Sequence, residues 1–263
     1  MADMVDYKIY GDDMQLVEIE LDPGEGIRAE VGAMMYMEEG IVMQTNTGGG
    51  LFRGLKRMMT GESFFITNFV QSGEGKGHVA FGAPYPGKIV PIDLIEFNGT
   101  FICQKDSFLC AANGIEIEVE FTKRIGTGLF GGEGFILQRL EGHGMAFIHA
   151  GGALIERQLQ PGEILKVDTG CVVGFSKTVN YDVQFIGGFR NSLFGGEGLF
   201  IAKLNGPGTI YLQSLPFSRL ADRINAAAKY QNKGENRNMA RGFIGGLFND
   251  DQRFWIMEIP IIK

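Results

Sequence analysis

The stretch "GLFGGEGF" at 128–135 returns nearly unchanged as "SLFGGEGLF" at 192–200. A bare Leu-Phe pair set among glycines, with one glutamate, is too specific a pattern to recur through composition alone. It marks an internal duplication, so self-comparison precedes any counting of strands. A looser third copy lies upstream, "GGLFRGLKRMMTGESFF" at 49–65, where "RGLKRMMT" separates Leu51-Phe52 from Gly61-Glu62.

Upstream of each copy stands a Pro-Gly turn entering an apolar strand: "LDPGEGIRAEVGAMMYMEEG", "PYPGKIVPIDLIEFNG" and "LQPGEILKVDTGCVVGF", with turn prolines Pro23, Pro86 and Pro161. Downstream of each comes a short strand entered through glycine, "GHVAF" at 77, "GMAFI" at 144 and "GTIYL" at 208. These elements define three repeats, at about 14–82, 83–150 and 151–215. No linker separates them, and none can bury both of its faces alone, which predicts one pseudo-threefold β domain over 1–263. Past residue 215 the pattern changes. Ser218 reads as an N-cap, and Phe217, Leu220 and Ile224 follow at helical spacing; a C-terminal helix and the strand "RFWIMEIPIIK" fill 216–263.

Composition agrees with an all-β chain. Forty glycines, eight prolines and many short Val/Ile/Phe runs call for tight turns between strands, and an apolar fraction of 44% supplies a core. The formal charge of −7 disfavours general nucleic-acid binding, which needs a basic face for phosphates. The N-terminal "MADMVDYKIY" has no apolar core run and no stretch offers eighteen uninterrupted apolar residues, so the expected location is cytoplasmic. Three cysteines suit a reducing compartment. Cys103 and Cys110 are expected to face each other across a hairpin turning at Asp106-Ser107, as buried small hydrophobes rather than a disulfide.

Several motifs resemble catalytic ones and lack a necessary part. "VDTG" at 167–170 matches half of an aspartic-protease dyad, and a second copy is missing. Counting from the turn prolines aligns its Asp168 with Glu30 and Asp93, a repeated acid expected to accept turn amides. His143 and His149 are six residues apart, roughly 20 Å along an extended strand, too far for one metal, and His78 adds no convergent pair. "GEGKGH" at 73–78 has no helix after it to complete a phosphate cradle and reads as a hairpin turn.

Taken together, "VGAMMYM" at 31–37, "GGGLFRGLKRMMTGESFF", the paired "LFGGEG" elements and "PGEILKVDTGCVVGF" resemble the mitochondrial-biogenesis Aim family over almost the whole chain. That resemblance implies a three-repeat, shortened double-stranded β-helix similar to the tryptophan-responsive RNA-binding attenuator. It also implies a homo-oligomeric ring, most simply a trimer, and fungal relatives that look like inner-membrane organisation factors.

Two sets of residues remain as candidate sites. Leu51, Phe52, Leu129, Phe130, Leu193 and Phe194 form the interaction loops, which either plug the barrel or subunit interface or line one rim as multivalent, peripheral membrane contacts. Arg53, Lys56 and Arg57 beside Met58 and Met59 suit the second arrangement. Glu62, Glu133 and Glu197 recur at one motif position, where they accept turn amides or, drawn together, hold a cation. The reading is a non-enzymatic scaffold or adaptor without cofactor or resident metal. The alternative is a small-ligand or metal-binding module using pockets between repeats.

Overall fold

Pro23-Gly24 and Pro161-Gly162 each make a tight reversal in which glycine takes a left-handed φ, +91° and +77°. The next residue closes the turn with its carboxylate: Glu25 accepts from the Asp22 amide at 2.9 Å, and Glu163 from the Gln160 amide at 2.9 Å. The computed structural model, which describes residues 5–30, 32–44, 66–123, 135–186 and 199–228, builds outward from these turns.

After β1 (Asp6–Tyr10), the chain makes three runs of six strands. The first run is β2 (Leu16–Leu21), β3 (Gly26–Glu30), β4 (Met34–Met37), β5 (Ile41–Gln44), β6 (Ile66–Gln71) and β7 (Gly77–Gly82). The second is β8 (Gly87–Asp93), β9 (Thr100–Gln104), β10 (Phe108–Ala112), β11 (Glu116–Lys123), β12 (Phe135–Glu141) and β13 (Met145–Gly151). The third is β14 (Leu154–Leu159), β15 (Ile164–Asp168), β16 (Val172–Ser176), β17 (Asn180–Ile186), β18 (Leu199–Asn205) and β19 (Gly208–Gln213).

One pairing scheme serves all three. Within each run the fifth strand lies between the second and fourth, and the sixth lies between the first and third, always antiparallel. The third strand carries a register shift at one place in every run, Met34/Tyr36, Phe108/Cys110 and Val172/Gly174, as a recurring bulge does when it redirects a strand. Each run is thus split into two half-sheets. The second strand of one run then pairs with the third strand of the next, β3 with β10 and β9 with β16. The resulting sheets are β5-β6-β3-β10-β13-β8 and β11-β12-β9-β16-β19-β14, flanked by β1-β2-β7-β4 and β15-β18-β17, and none closes on itself.

Burial follows from this scheme. Strand β2 alternates, with Val17, Ile19 and Leu21 wholly buried and Glu18 and Glu20 on the other face, as a half-covered strand should. The junction strands β9, β10 and β16 are buried at every residue, and so show no alternation. One apolar cluster gathers Ile19, Ile27, Phe81, Phe101 and Phe147, with Phe69 meeting Phe81 edge-on at 5.3 Å; a second gathers Phe135, Leu137, Phe175, Leu204 and Ile210.

Three expectations change. Pro86 precedes β8, the first strand of its run, whereas Pro23 and Pro161 precede second strands; the second run makes the corresponding turn with Asn98-Gly99, where Asn98 takes φ +53°. Asn tolerates the left-handed region well enough to replace glycine there. Asp93 is consequently not the counterpart of Glu30 and Asp168. Cys103 and Cys110 do not share a hairpin: the 3-10 turn Lys105–Ser107 sends β9 and β10 into different sheets, and both thiols are free and buried. A helix runs over 217–228, so Ser218 is already helical and Pro216 precedes it. The segment "RFWIMEIPIIK" lies outside the described residues. "GEGKGH" is the turn between β6 and β7, where the Gln71 side chain donates to the Gly75 carbonyl at 2.5 Å.

Gly174 tests the junction. A Cβ there would stand 2.6 Å from the Phe101 ring and 2.8 Å from the Ile102 carbonyl, across the β9–β16 pairing. Gly174→Ala is expected to cost about 2–3 kcal/mol in chemical denaturation. Gly75→Ala, where a Cβ would meet nothing within 4 Å, should change stability by less than about 0.5 kcal/mol.

Candidate functional site

Leu51, Phe52, Leu129, Phe130, Leu193 and Phe194, and the repeated acids Glu62, Glu133 and Glu197, fall outside the described residues. The strands that frame them are described. All three Leu-Phe segments join the fourth to the fifth strand of a run, between Gln44 and Ile66, Lys123 and Phe135, and Ile186 and Leu199. Each framing pair is antiparallel, and the β11–β12 pair carries a register shift between Val119 and Phe121. The fourth strands carry large apolar side chains facing outward: Val42 and Met43 on β5, Val119 on β11 and Phe185 on β17 are 38–58% exposed. At the base of the third hairpin Phe185 lies against Phe200, with ring centroids 4.8 Å apart.

A small cleft with room for about one water molecule opens between the second and third runs, lined by Tyr85, Gln104, Asp106, Gly170, Gln213 and Phe217 among others. Its floor is an amide. The buried Gln213 side chain donates to the Gly170 carbonyl at 2.8 Å and accepts from the Gly151 amide at 2.7 Å, which pins the end of β19 to the 3-10 turn Thr169–Cys171. Its wall is aromatic: Tyr85 leans on Phe217, with centroids 5.5 Å apart, and meets the ring of His149 edge-on at 4.5 Å. His149 is 1% exposed, and among the described residues neither ring nitrogen meets a partner at good hydrogen-bonding geometry, although the Tyr85 backbone lies near enough to oppose part of the effect of burial. Burial pulls its pKa down to about 4, so the imidazole is neutral at physiological pH. Burial pushes the Tyr85 hydroxyl well up, and the charges of Asp106 and Glu30 add to that. The cleft presents an aromatic wall above an amide whose hydrogen bonds are already satisfied within the chain. The sequence reading missed it because its parts come from strand ends and turns more than a hundred residues apart; "PYPG", with Tyr85 between two prolines, was the local signal.

The outer face of β1-β2-β7-β4 carries a polar lattice. Glu18 accepts from Tyr10 at 3.0 Å and from Tyr36, and the Tyr36 bond is the main cause that holds its carboxyl below the usual range. The Tyr36 hydroxyl is pushed up to about 12 by the same bond. His78 Nδ1 meets Glu38 at 2.9 Å, its Nε2 meets Glu20 at 3.3 Å, and Lys76 pairs with Glu20. The Glu38 bond raises the His78 pKa. These contacts fasten β4 and β2 across β7. His143 is exposed in the turn that enters β13, whose far end carries the buried His149, and no group of three or more His, Cys, Asp or Glu among the described residues is placed to hold a metal ion.

Asp168 and Asp93 do accept turn amides, from Gly170 and Ile95, each at 2.9 Å. They do so at different places in their runs, so the acid is a local turn device rather than a repeated site.

A family model described as mitochondrial biogenesis AIM24 matches residues 7–215. The chain is 32% identical over 217 residues to an uncharacterized protein of Streptococcus pyogenes serotype M6, covering 80% of this chain and 85% of that one. A crystal structure of a Streptococcus pyogenes protein solved as a structural-genomics target superposes with a TM-score of 0.69 at 28% identity, covering 85% of this chain and 99% of that chain.

His149 yields a pH prediction. Its folded pKa of about 4 lies below the unfolded value, so the unfolded chain binds the extra proton first, and stability is lost as pH falls from about 6.5 to about 4. The full loss corresponds to about 3 kcal/mol. Gln occupies the corresponding place in the third run, at Gln213, so His149→Gln is expected to fold and to flatten this part of the stability–pH curve, measured by urea denaturation at stepped pH. A curve of unchanged slope would mean that His149 does not titrate there.

Proposed function

The chain belongs to the mitochondrial biogenesis AIM24 family, and on that premise we propose that it is a non-enzymatic, ring-forming scaffold or adaptor that touches membrane surfaces peripherally through its Leu-Phe-Gly-Gly loops. One observation carries this reading: all three Leu-Phe segments spring from equivalent hairpins whose leading strands expose Val42, Met43, Val119 and Phe185. Three weak apolar anchors on one body act together, since engaging the first raises the effective concentration of the others. Arg53, Lys56 and Arg57 in the first loop add attraction to anionic lipid. No described helix is long and apolar enough to cross a membrane, so contact of this kind is interfacial. The shared pairing scheme supports a three-repeat, shortened double-stranded β-helix of the attenuator type, and a trimer is the simplest ring.

The cleft at Tyr85 and Gln213 favours a second reading, a module that binds a small ligand between runs. A ligand bound only by the native state raises the melting temperature in a saturable way.

Flotation with anionic and neutral liposomes separates the two. The parent protein is expected to float with anionic vesicles, and a variant carrying Phe130→Ser and Phe194→Ser, with unchanged circular dichroism and solution mass, is expected to stay at the bottom. Parent protein that never floats removes the membrane reading; a metabolite that stabilises the parent but not Gln213→Ala would establish the second.

A further inference from the structure

Within the chain, the second strand of each run pairs with the third strand of the next. That rule leaves one strand over at each end. Strand β4, the third of the first run, and β15, the second of the last run, each close a sheet with a neighbour on one side only among the described residues. They are the two halves of a junction that the chain makes twice internally.

Exposure shows what is missing. Met35, Tyr36 and Met37 on β4 are 56%, 43% and 40% exposed. Their counterparts Leu109, Cys110 and Ala111 on β10 are at most 1% exposed, as are Val173 and Phe175 on β16. On β15, Ile164 is 49% exposed. A free edge is ordinarily protected by lysine, proline or inward charge, yet "MMYM" at 34–37 has none of these.

We propose that β4 of one molecule pairs antiparallel with β15 of a second copy of this chain, in the register of the internal junctions. This deepens the ring-forming half of the proposed function and does not rest on the membrane half. The internal pairings fix the register. Cys110 faces Ala29 and Gly174 faces Cys103; Cys110 and Gly174 occupy the place of Tyr36, as each follows the same register shift. Ala29 and Cys103 lie five residues before Met34 and Phe108, the start of the next strand, and in the third run that place is Val167. Tyr36 therefore faces Val167 of the second copy, Met37 its Lys166 and Glu38 its Leu165. The joined half-sheets form β2-β7-β4 with β15-β18-β17, the same six-strand order as the two sheets completed inside the chain, with β1 added outside.

The occupant is a second copy because one contact covers both orphan edges: each molecule offers β4 to one neighbour and β15 to another. Such a head-to-tail contact closes into a ring when the rotation per molecule divides a full turn.

Paired cysteines test it in the full chain, in a Cys171→Ser background that leaves the buried Cys103 and Cys110 in place. Tyr36→Cys and Val167→Cys, on separate molecules, should form a disulfide-linked dimer on mild oxidation when mixed and not when either is oxidised alone; opposed strands bring Cα atoms within about 4.5–5.5 Å. Met35→Lys with Met37→Lys, both at exposed positions, should reduce the solution mass from a multiple of 28.8 kDa to a single chain with unchanged circular dichroism. A monomeric parent, absence of the mixed crosslink, or an intramolecular link between Tyr36→Cys and Ile259→Cys overturns the proposal. An oligomer that survives the double lysine substitution overturns this interface while leaving a scaffold intact, and liposome flotation reports separately on the membrane half.

Discussion

A buried backbone amide must have a partner, and this requirement organises the structure. The second and third strands of each run are separated by a tight turn that sends them into different sheets, so neither can satisfy the other. In the second and third runs that turn is a 3-10 turn, Lys105–Ser107 or Thr169–Cys171. Apart from β4 and β15, each of these strands finds its second neighbour in an adjacent run. The runs are therefore interlocked along their backbones, and β9, β10 and β16 at their junctions are buried on both faces. Side-chain packing around Phe101 and Phe147 in one cluster and Phe175 in the other then fills space that hydrogen bonding has already fixed.

Much of this was legible from sequence, and the failures have a common physical cause. Strand content and turn positions are local properties: a left-handed φ needs glycine, and the Pro-Gly-Glu turns at 23–25 and 161–163 announce themselves. The duplicated Leu-Phe-Gly segments likewise point to equivalent hairpins. Pairing is nonlocal. Strands β9 and β10 are adjacent in sequence, and a hairpin was the natural expectation for Cys103 and Cys110, but nothing in the six intervening residues declares that the two leave for different sheets. Strands buried on both faces also lose the alternation that identifies a strand's orientation. Pro86 misled for a related reason. One run makes its reversal with Asn98-Gly99, so aligning prolines shifted the repeat and brought in Asp93, an acid from a different strand.

The candidate sites divide along the same line. Loop motifs were found because they are contiguous. The cleft was missed because Tyr85, Gln104, Gly170 and Gln213 meet only after two runs have joined, and amide side chains at strand ends carry no spacing signature. The polar lattice over β2, β7 and β4 illustrates how readily charged residues near a histidine can be explained by anchoring: Glu18, Glu20 and Glu38 are each engaged by a donor that belongs to the same sheet.

The sixth strands show how far the three copies have parted. Ala80, Phe147 and Tyr211 hold one place in the scheme, so two residues later Gly82, His149 and Gln213 hold another. The first offers no side chain, the second a neutral ring and the third an amide bonded at both ends. Whatever the ancestral unit did at this position, the duplicated descendants no longer do it in parallel. The arrangement of Gln213 beneath Tyr85 therefore exists once per polypeptide among the described residues, where the backbone scheme alone would suggest three.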